Sequence, residues 1–168
     1  MKETIRKINS LVELGLMQNY AIAGGLAHFY YIEPSVTFDL DLIVNIINEA
    51  NSLAPLTEIY NWGKKNNFKT EGEHIIIEGV PVQFLLPYND LVVEALENRS
   101  QITLFDEKTF ILGPEYLMAI MLQTGRASDK ERLARFFDEL DYDHSLFNDI
   151  IFKFKLTEKL SNFMRIYE

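Results

Sequence analysis

The sequence predicts an α+β domain, with strands and helices mixed in a head and helices alone in a tail. Short apolar runs punctuated by Gly, Asn and Pro alternate with helical patterns up to residue 112. Past Gly113-Pro114 the apolar spacing becomes that of successive helices. The third observation is size. A chain of 168 residues buries one proper core, so the reading is a core over residues 1–112 and a C-terminal helical segment over 113–168 packing on it.

Ile5, Leu11, Leu14 and Leu16 lie in a segment that forms an amphipathic first helix, with Gly15 near its end. Tyr20 to Gly24 is apolar and reads as a short buried strand. Gly24-Gly25 then make a turn, and a helix starts near Leu26. Asp39-Leu40-Asp41-Leu42 opens the next strand, and Leu56, Ile59, Tyr60 and Trp62 mark a helix from Pro55 to Asn66. His74 to Glu78 and Val80 to Leu86 are two arms of a hairpin turning at Gly79, with Pro81 near a strand start or on an edge. Leu91, Val92, Ala95 and Leu96 give a short helix, followed by extended pieces at Ile102–Phe105 and Thr109–Leu112. Helices over Glu115–Leu122, Asp129–Leu140, Leu146–Lys155 and Thr157–Tyr167 complete the chain, the first with Pro114 at its start.

Composition excludes several classes. No run of eighteen apolar residues exists, and the first residues lack the apolar stretch of a signal peptide, so neither a membrane span nor secretion is expected. Cysteine is absent, which removes disulfides and zinc-thiolate sites and suits a cytoplasmic protein. A net charge of −9 repels long nucleic acid over most of the surface and disfavours it as a partner, whereas a small nucleotide arriving with its metal is easier to accept. His28, His74 and His144 are scattered without metal-ligand spacing, and no Walker lysine, Gly-x-Ser-x-Gly elbow or dinucleotide fingerprint occurs.

The chemistry concentrates in Gly24-Gly25 and Asp39-x-Asp41. A glycine turn opening a helix directs free N–H groups, among them that of Leu26, at whatever lies above it, a natural place for phosphate. Alternate residues of a strand share a face, so Asp39 and Asp41 stand together while Leu40 and Leu42 enter the core. Two neighbouring carboxylates repel, and a divalent cation compensates them. Mg²⁺ (or Mn²⁺), held by one or two carboxylates together with substrate phosphates, fits that description.

Gly24-Gly25, the spacer and Asp39-Leu40-Asp41-Leu42 resemble the signature of the nucleotidyltransferase superfamily, the group that includes polymerase beta, kanamycin nucleotidyltransferase and the minimal nucleotidyltransferases. Gly25 to Tyr30 with Glu33 to Asp39, Gly79 to Pro87, Pro114 to Ile120 and Gly125 to Lys130 are similar to the small bacterial abortive-infection toxin-like members, over about residues 18 to 140. The resemblance implies a mixed β-sheet flanked by helices, with a C-terminal helical bundle. It implies a Mg²⁺-dependent transfer of a nucleoside monophosphate from an NTP to a hydroxyl on an RNA end, a protein or a small molecule. An antitoxin-like partner is also implied.

Residue by residue, the resemblance assigns Asp39 and Asp41 to the metal and Gly24, Gly25 and Leu26 to the β- and γ-phosphates. The position of the family's third carboxylate holds Gln83, which carries no charge and is no base near neutral pH. Glu78, on the neighbouring strand, is the candidate to replace it as a ligand. Thr37 is placed to bond nucleotide or backbone, and Ser35 stands where relatives often have arginine. Arg126, Asp129, Lys130, Arg132 and Arg135 form the one dense basic cluster, in which Arg126 and Lys130, four apart, share a face if the helix runs through Ala127-Ser128. A lysine expected one turn before Arg126 is Met121. The departures leave a second reading open, a catalytically degenerate nucleotide-binding or toxin-like interaction protein.

Overall fold

A computed structural model describes residues 1–32, 39–47 and 54–167. The head contains helix α1 (Lys2–Glu13), strand β1 (Asn19–Ala23), α2 (Gly24–Tyr31), β2 (Leu40–Asn45), α3 (Thr57–Lys65), β3 (Thr70–Glu71), β4 (His74–Ile77), β5 (Val80–Leu85), α4 (Asp90–Glu97), β6 (Ser100–Leu104) and β7 (Glu107–Ile111). Helices α5 (Pro114–Thr124), α6 (Ala127–Glu139), α7 (His144–Lys153) and α8 (Thr157–Tyr167) follow. The expected elements are present, with β3 added. Its two residues are exposed and carry no apolar signal, and only pairing with β4 makes them a strand.

The strands form one mixed sheet in the order β3-β4-β5-β2-β1-β7-β6. β2 is parallel to β5 and β1 to β7, while the other neighbours are antiparallel. Register aligns Ile111, Ile22, Leu42 and Phe84 in one row across four strands, all of them buried. This face packs under α1 and α3. The Tyr20 hydroxyl donates to Asn9 Oδ1 at 2.7 Å, Thr4 Oγ1 donates to the Ile77 carbonyl at 3.3 Å, and Ile75 lies against Gly63. One residue further along, Ala23, Asp41, Gln83 and His74 form the next row, which the strand pleat turns to the opposite face.

α1 buries Ile5, Ile8 and Leu11 and ends in a Schellman motif, in which Gly15 N–H donates to Val12 and Leu16 N–H to Leu11. The chain leaves the helical path there, so Leu14, expected on the apolar stripe, is 61% exposed. α5 is apolar nearly all round because it lies against α4, α6, α7 and α8 at once. Its buried Glu115 accepts the Asp143 backbone N–H at 2.8 Å, and Asp143 in turn caps α7 through Leu146 N–H. The buried residues of the head and the helical tail form one continuous hydrophobic cluster. No described helix is long and apolar enough to cross a membrane.

Candidate metal centre and nucleotide cleft

The cross-strand row decides which side chains meet. His74 pairs with Gln83, Gln83 with Asp41, and Asp41 with Ala23, so neighbouring side chains stand on one face. Asp39, two residues before Asp41, joins them from the approach to β2. A ligand atom from each of Asp39, Asp41 and His74 lies within 4.8 Å of the others. Ligands of one octahedral ion with bonds of about 2.1 Å stand roughly 3 to 4 Å apart, so small side-chain rotations close this set around a cation.

Gly24 begins α2 at φ +58, and a β-carbon there would lie 2.0 Å from Asp41 Oδ2. The space beside the Gly24 Cα is thus occupied by the Asp41 carboxylate. Ala23, the N-cap residue, supplies no side-chain hydrogen bond, and the first turn of α2 opens beside the two carboxylates. Burial pushes the Asp41 carboxyl above its usual range and the Asp39 charge adds to this, while His74, Arg132 and Arg126 pull it the other way. A bound cation would relieve both penalties, and the donor set fits one.

Above the row lies a cavity of about 160 Å³ between the sheet and the helical tail. Its floor includes Gly24, Asp41, Ile43 and Leu85, and its roof comes from α4, α5 and α6. Arg126 and Arg132 enter from the α6 side, and Met121 makes the wall apolar where a lysine was expected. Thr124 Oγ1 donates to the buried Asp129 Oδ2 at 2.7 Å, which fixes the corner carrying Arg126.

Neither a protein-family model nor a curated protein sequence matches the chain. Among solved structures, it is similar to an antigenic nucleotidyltransferase-like protein from Paracoccidioides brasiliensis, with a TM-score of 0.57 and 14% identity over 98% of this chain and 93% of that one. The chain has a nucleotidyltransferase-like fold. A candidate nucleotidyltransferase from Thermotoga maritima is also similar, with a TM-score of 0.49 and 18% identity over 80% of this chain and 90% of that one.

Within this nucleotidyltransferase-like fold, the site residues read from sequence separate into two sets. Asp39, Asp41, Gln83, Gly24, Gly25 and the backbone of Leu26 gather at the row and the start of α2, and Arg126 faces the same cavity. Glu78 does not join them. It sits at φ +50 in the two-residue turn between β4 and β5, beyond the Ile77–Val80 pair, four residues along the strand from His74. A strand rises about 3.3 Å per residue, which puts it roughly 13 Å away. Lys130 is also elsewhere, in a groove of about 480 Å³ beside Lys159 and Phe163. α6 runs through Ala127-Ser128 and the Lys130 N–H donates to the Arg126 carbonyl at 3.0 Å, but Arg126 is the extended N-cap, and the two side chains line different cavities. The cavity face of α6 is instead Asp129, Arg132 and Phe136. Thr37 and Ser35 lie outside the described residues.

Two participants escaped sequence reasoning. His74 has no local metal-ligand spacing and reaches Asp41 only through two strand pairings. Arg132 belonged to the basic cluster but had no feature separating it from Arg135, which pairs with Glu139 at 2.9 Å. Gln83, at the expected third-carboxylate position, donates from Nε2 to Glu73 Oε2 at 2.6 Å. A carboxylate therefore stands beside that position, from the residue before His74.

Proposed function

We propose that this chain is a metal-dependent nucleotidyltransferase that moves a nucleoside monophosphate from an NTP to a hydroxyl acceptor. The observation that carries the reading is the Asp39, Asp41 and His74 cluster beside the glycine-opened start of α2, beneath a cavity that Arg126 and Arg132 enter. Asp39 and Asp41 would hold the cation, which when bound supplies charge compensation for the triphosphate and for the attack on its α-phosphorus.

The remaining work falls to the chain itself. The N–H groups of Gly24, Gly25 and Leu26 receive the β- and γ-phosphates, and the Arg126 and Arg132 guanidiniums hold their charge in place. The apolar cavity wall of Leu117, Ile120 and Met121 excludes water and takes the nucleoside. The acceptor oxygen attacks the α-phosphorus, the bond to the bridging oxygen breaks and pyrophosphate leaves. The acceptor's proton goes to a carboxylate. Gln83 cannot take it, so Glu73, steadied by the Gln83 amide, is assigned that role. Positioning and electrostatics supply most of the acceleration.

The test is transfer of label from [α-³²P]NTPs to RNA, protein and small-molecule fractions of an extract, with Asp39→Asn and Asp41→Asn as controls. Transfer lost in both variants is the expected result, whereas equal nucleotide binding by wild type and variants would sink the site. A second reading, a nucleotide-binding interaction protein without turnover and held by an antitoxin-like partner, is favoured by Gln83 at the third-carboxylate position and Met121 in the cavity wall. It requires metal-dependent NTP binding, no transferred label and a stoichiometric protein partner on pull-down.

A further inference from the structure

We propose that His74 is a direct ligand of the metal centre and gives it a preference for Mn²⁺ over Mg²⁺. The inference rests on the site assignment above and names which cation that site selects. The sheet register carries the argument. A third carboxylate on β5 would have stood next to Asp41, but that position holds Gln83, whose amide is engaged with Glu73. The same row continues one strand outward to His74, which pairs directly with Gln83. His74 is half-buried, and its ligating nitrogen belongs to the set of ligand atoms lying within 4.8 Å of one another.

Replacing a carboxylate by an imidazole changes the centre in two ways. Two carboxylates and a neutral nitrogen carry one negative charge fewer than three carboxylates, which weakens the hold on a hard cation that binds by charge. Mg²⁺ takes oxygen ligands almost exclusively, whereas Mn²⁺ accepts oxygen and imidazole together. Three protein ligands on an octahedral ion leave three positions for phosphate oxygens and water. A tetrahedral ion such as Zn²⁺ would keep one, too few to bridge a triphosphate. Gly24 contributes from the other side, because the absence of a β-carbon there leaves the space that the Asp41 carboxylate occupies.

The experiment is Mn²⁺ titration of the full chain followed by electron paramagnetic resonance, first without nucleotide, with pulsed detection of nitrogen coupled to the manganese. Wild type is expected to show modulation from one directly bound imidazole nitrogen and to release Mn²⁺ only to a Mg²⁺ excess of roughly 100-fold or more. His74→Gln should lose the nitrogen signal and bind Mn²⁺ at least tenfold more weakly. His74→Asp should also lose it while cutting the Mn²⁺ over Mg²⁺ preference at least tenfold. Absence of Mn²⁺ binding or of the nitrogen signal in wild type overturns the proposal, as does undiminished Mn²⁺ affinity in folded His74→Gln. The wild-type spectrum decides even where a variant fails to fold. Label transfer with no nitrogen signal would leave the transferase reading standing and remove this one; the nitrogen signal without transfer would do the reverse.

Discussion

The Asp41 carboxylate lies in the space that the β-carbon of any other residue at position 24 would fill, 2.0 Å from where that carbon would be. Gly24 also holds φ +58, a conformation that costs other residues about 1–2 kcal/mol. Gly24→Ala therefore combines backbone strain with displacement of the Asp41 carboxylate. Gly15→Ala is the control, since Gly15 has φ +70 and nothing within 4 Å of its added carbon. Both variants should melt roughly 2–8 °C below wild type. Only Gly24→Ala should lose metal binding, which calorimetric titration with Mn²⁺ would read out.

Asp41 is held against its own preference, because burial and Asp39 both raise its carboxyl. A carboxyl raised in the folded state makes folding less favourable as pH climbs from the ordinary carboxylate range through the raised value. Asp41→Asn should accordingly melt higher than wild type in EDTA at pH 7.5, by on the order of a few °C. The difference should vanish below about pH 3, where both chains are neutral at that position. Thermal melts across this range check it, and a lower melting temperature for Asp41→Asn at pH 7.5 would contradict it.

Arg132 and Lys130 are two residues apart on α6 and face different cavities. Arg132→Gln should weaken NTP binding about 10- to 100-fold, the loss of one or two charge-assisted hydrogen bonds to phosphate. Lys130→Gln should bind nucleotide like wild type. Fluorescent-nucleotide titration separates the two, and equal effects would mean that α6 presents its charges differently.

His28 is 3% exposed, and burial together with Arg132 and Arg135 lowers its imidazole to about 4, with Glu139 opposing. A depressed histidine takes up protons in the unfolded chain first, so stability is intact above about pH 6.5 and is lost as pH falls toward 4. The loss across that window is on the order of 3 kcal/mol. His28→Gln should flatten the urea-unfolding profile between pH 6.5 and 4; an unchanged slope would show that another group governs it.

Secondary structure was legible where period and punctuation agreed. Asn89 capping Val92 N–H, Pro114 opening α5 and Gly15 closing α1 act within one turn of chain, and sequence reading found those helices. β3 was not legible, because exposed Thr70 and Glu71 become a strand only beside β4. Glu78 looked close to the site because it ends the strand next to Gln83. The hairpin reverses direction there, so the residue brought to Gln83 is His74 from the other end.

Alternation into β2 placed Asp39 and Asp41 on one side, and Gly24-Gly25 marked where a helix starts, whatever the rest of the chain does. These relations span a few residues, within reach of backbone geometry alone. The arrival of His74 beside the carboxylates and of Arg132 in the cavity was decided by tertiary structure. His74 enters through the register of β4 on β5 on β2, and Arg132 through the face that α6 turns toward the sheet. Register and helix rotation are fixed by which apolar side chains bury together across distant segments, such as Ile22 with Leu42 and Phe84 beneath the site. Local sequence carries the carboxylate pair, and the packed core chooses its company.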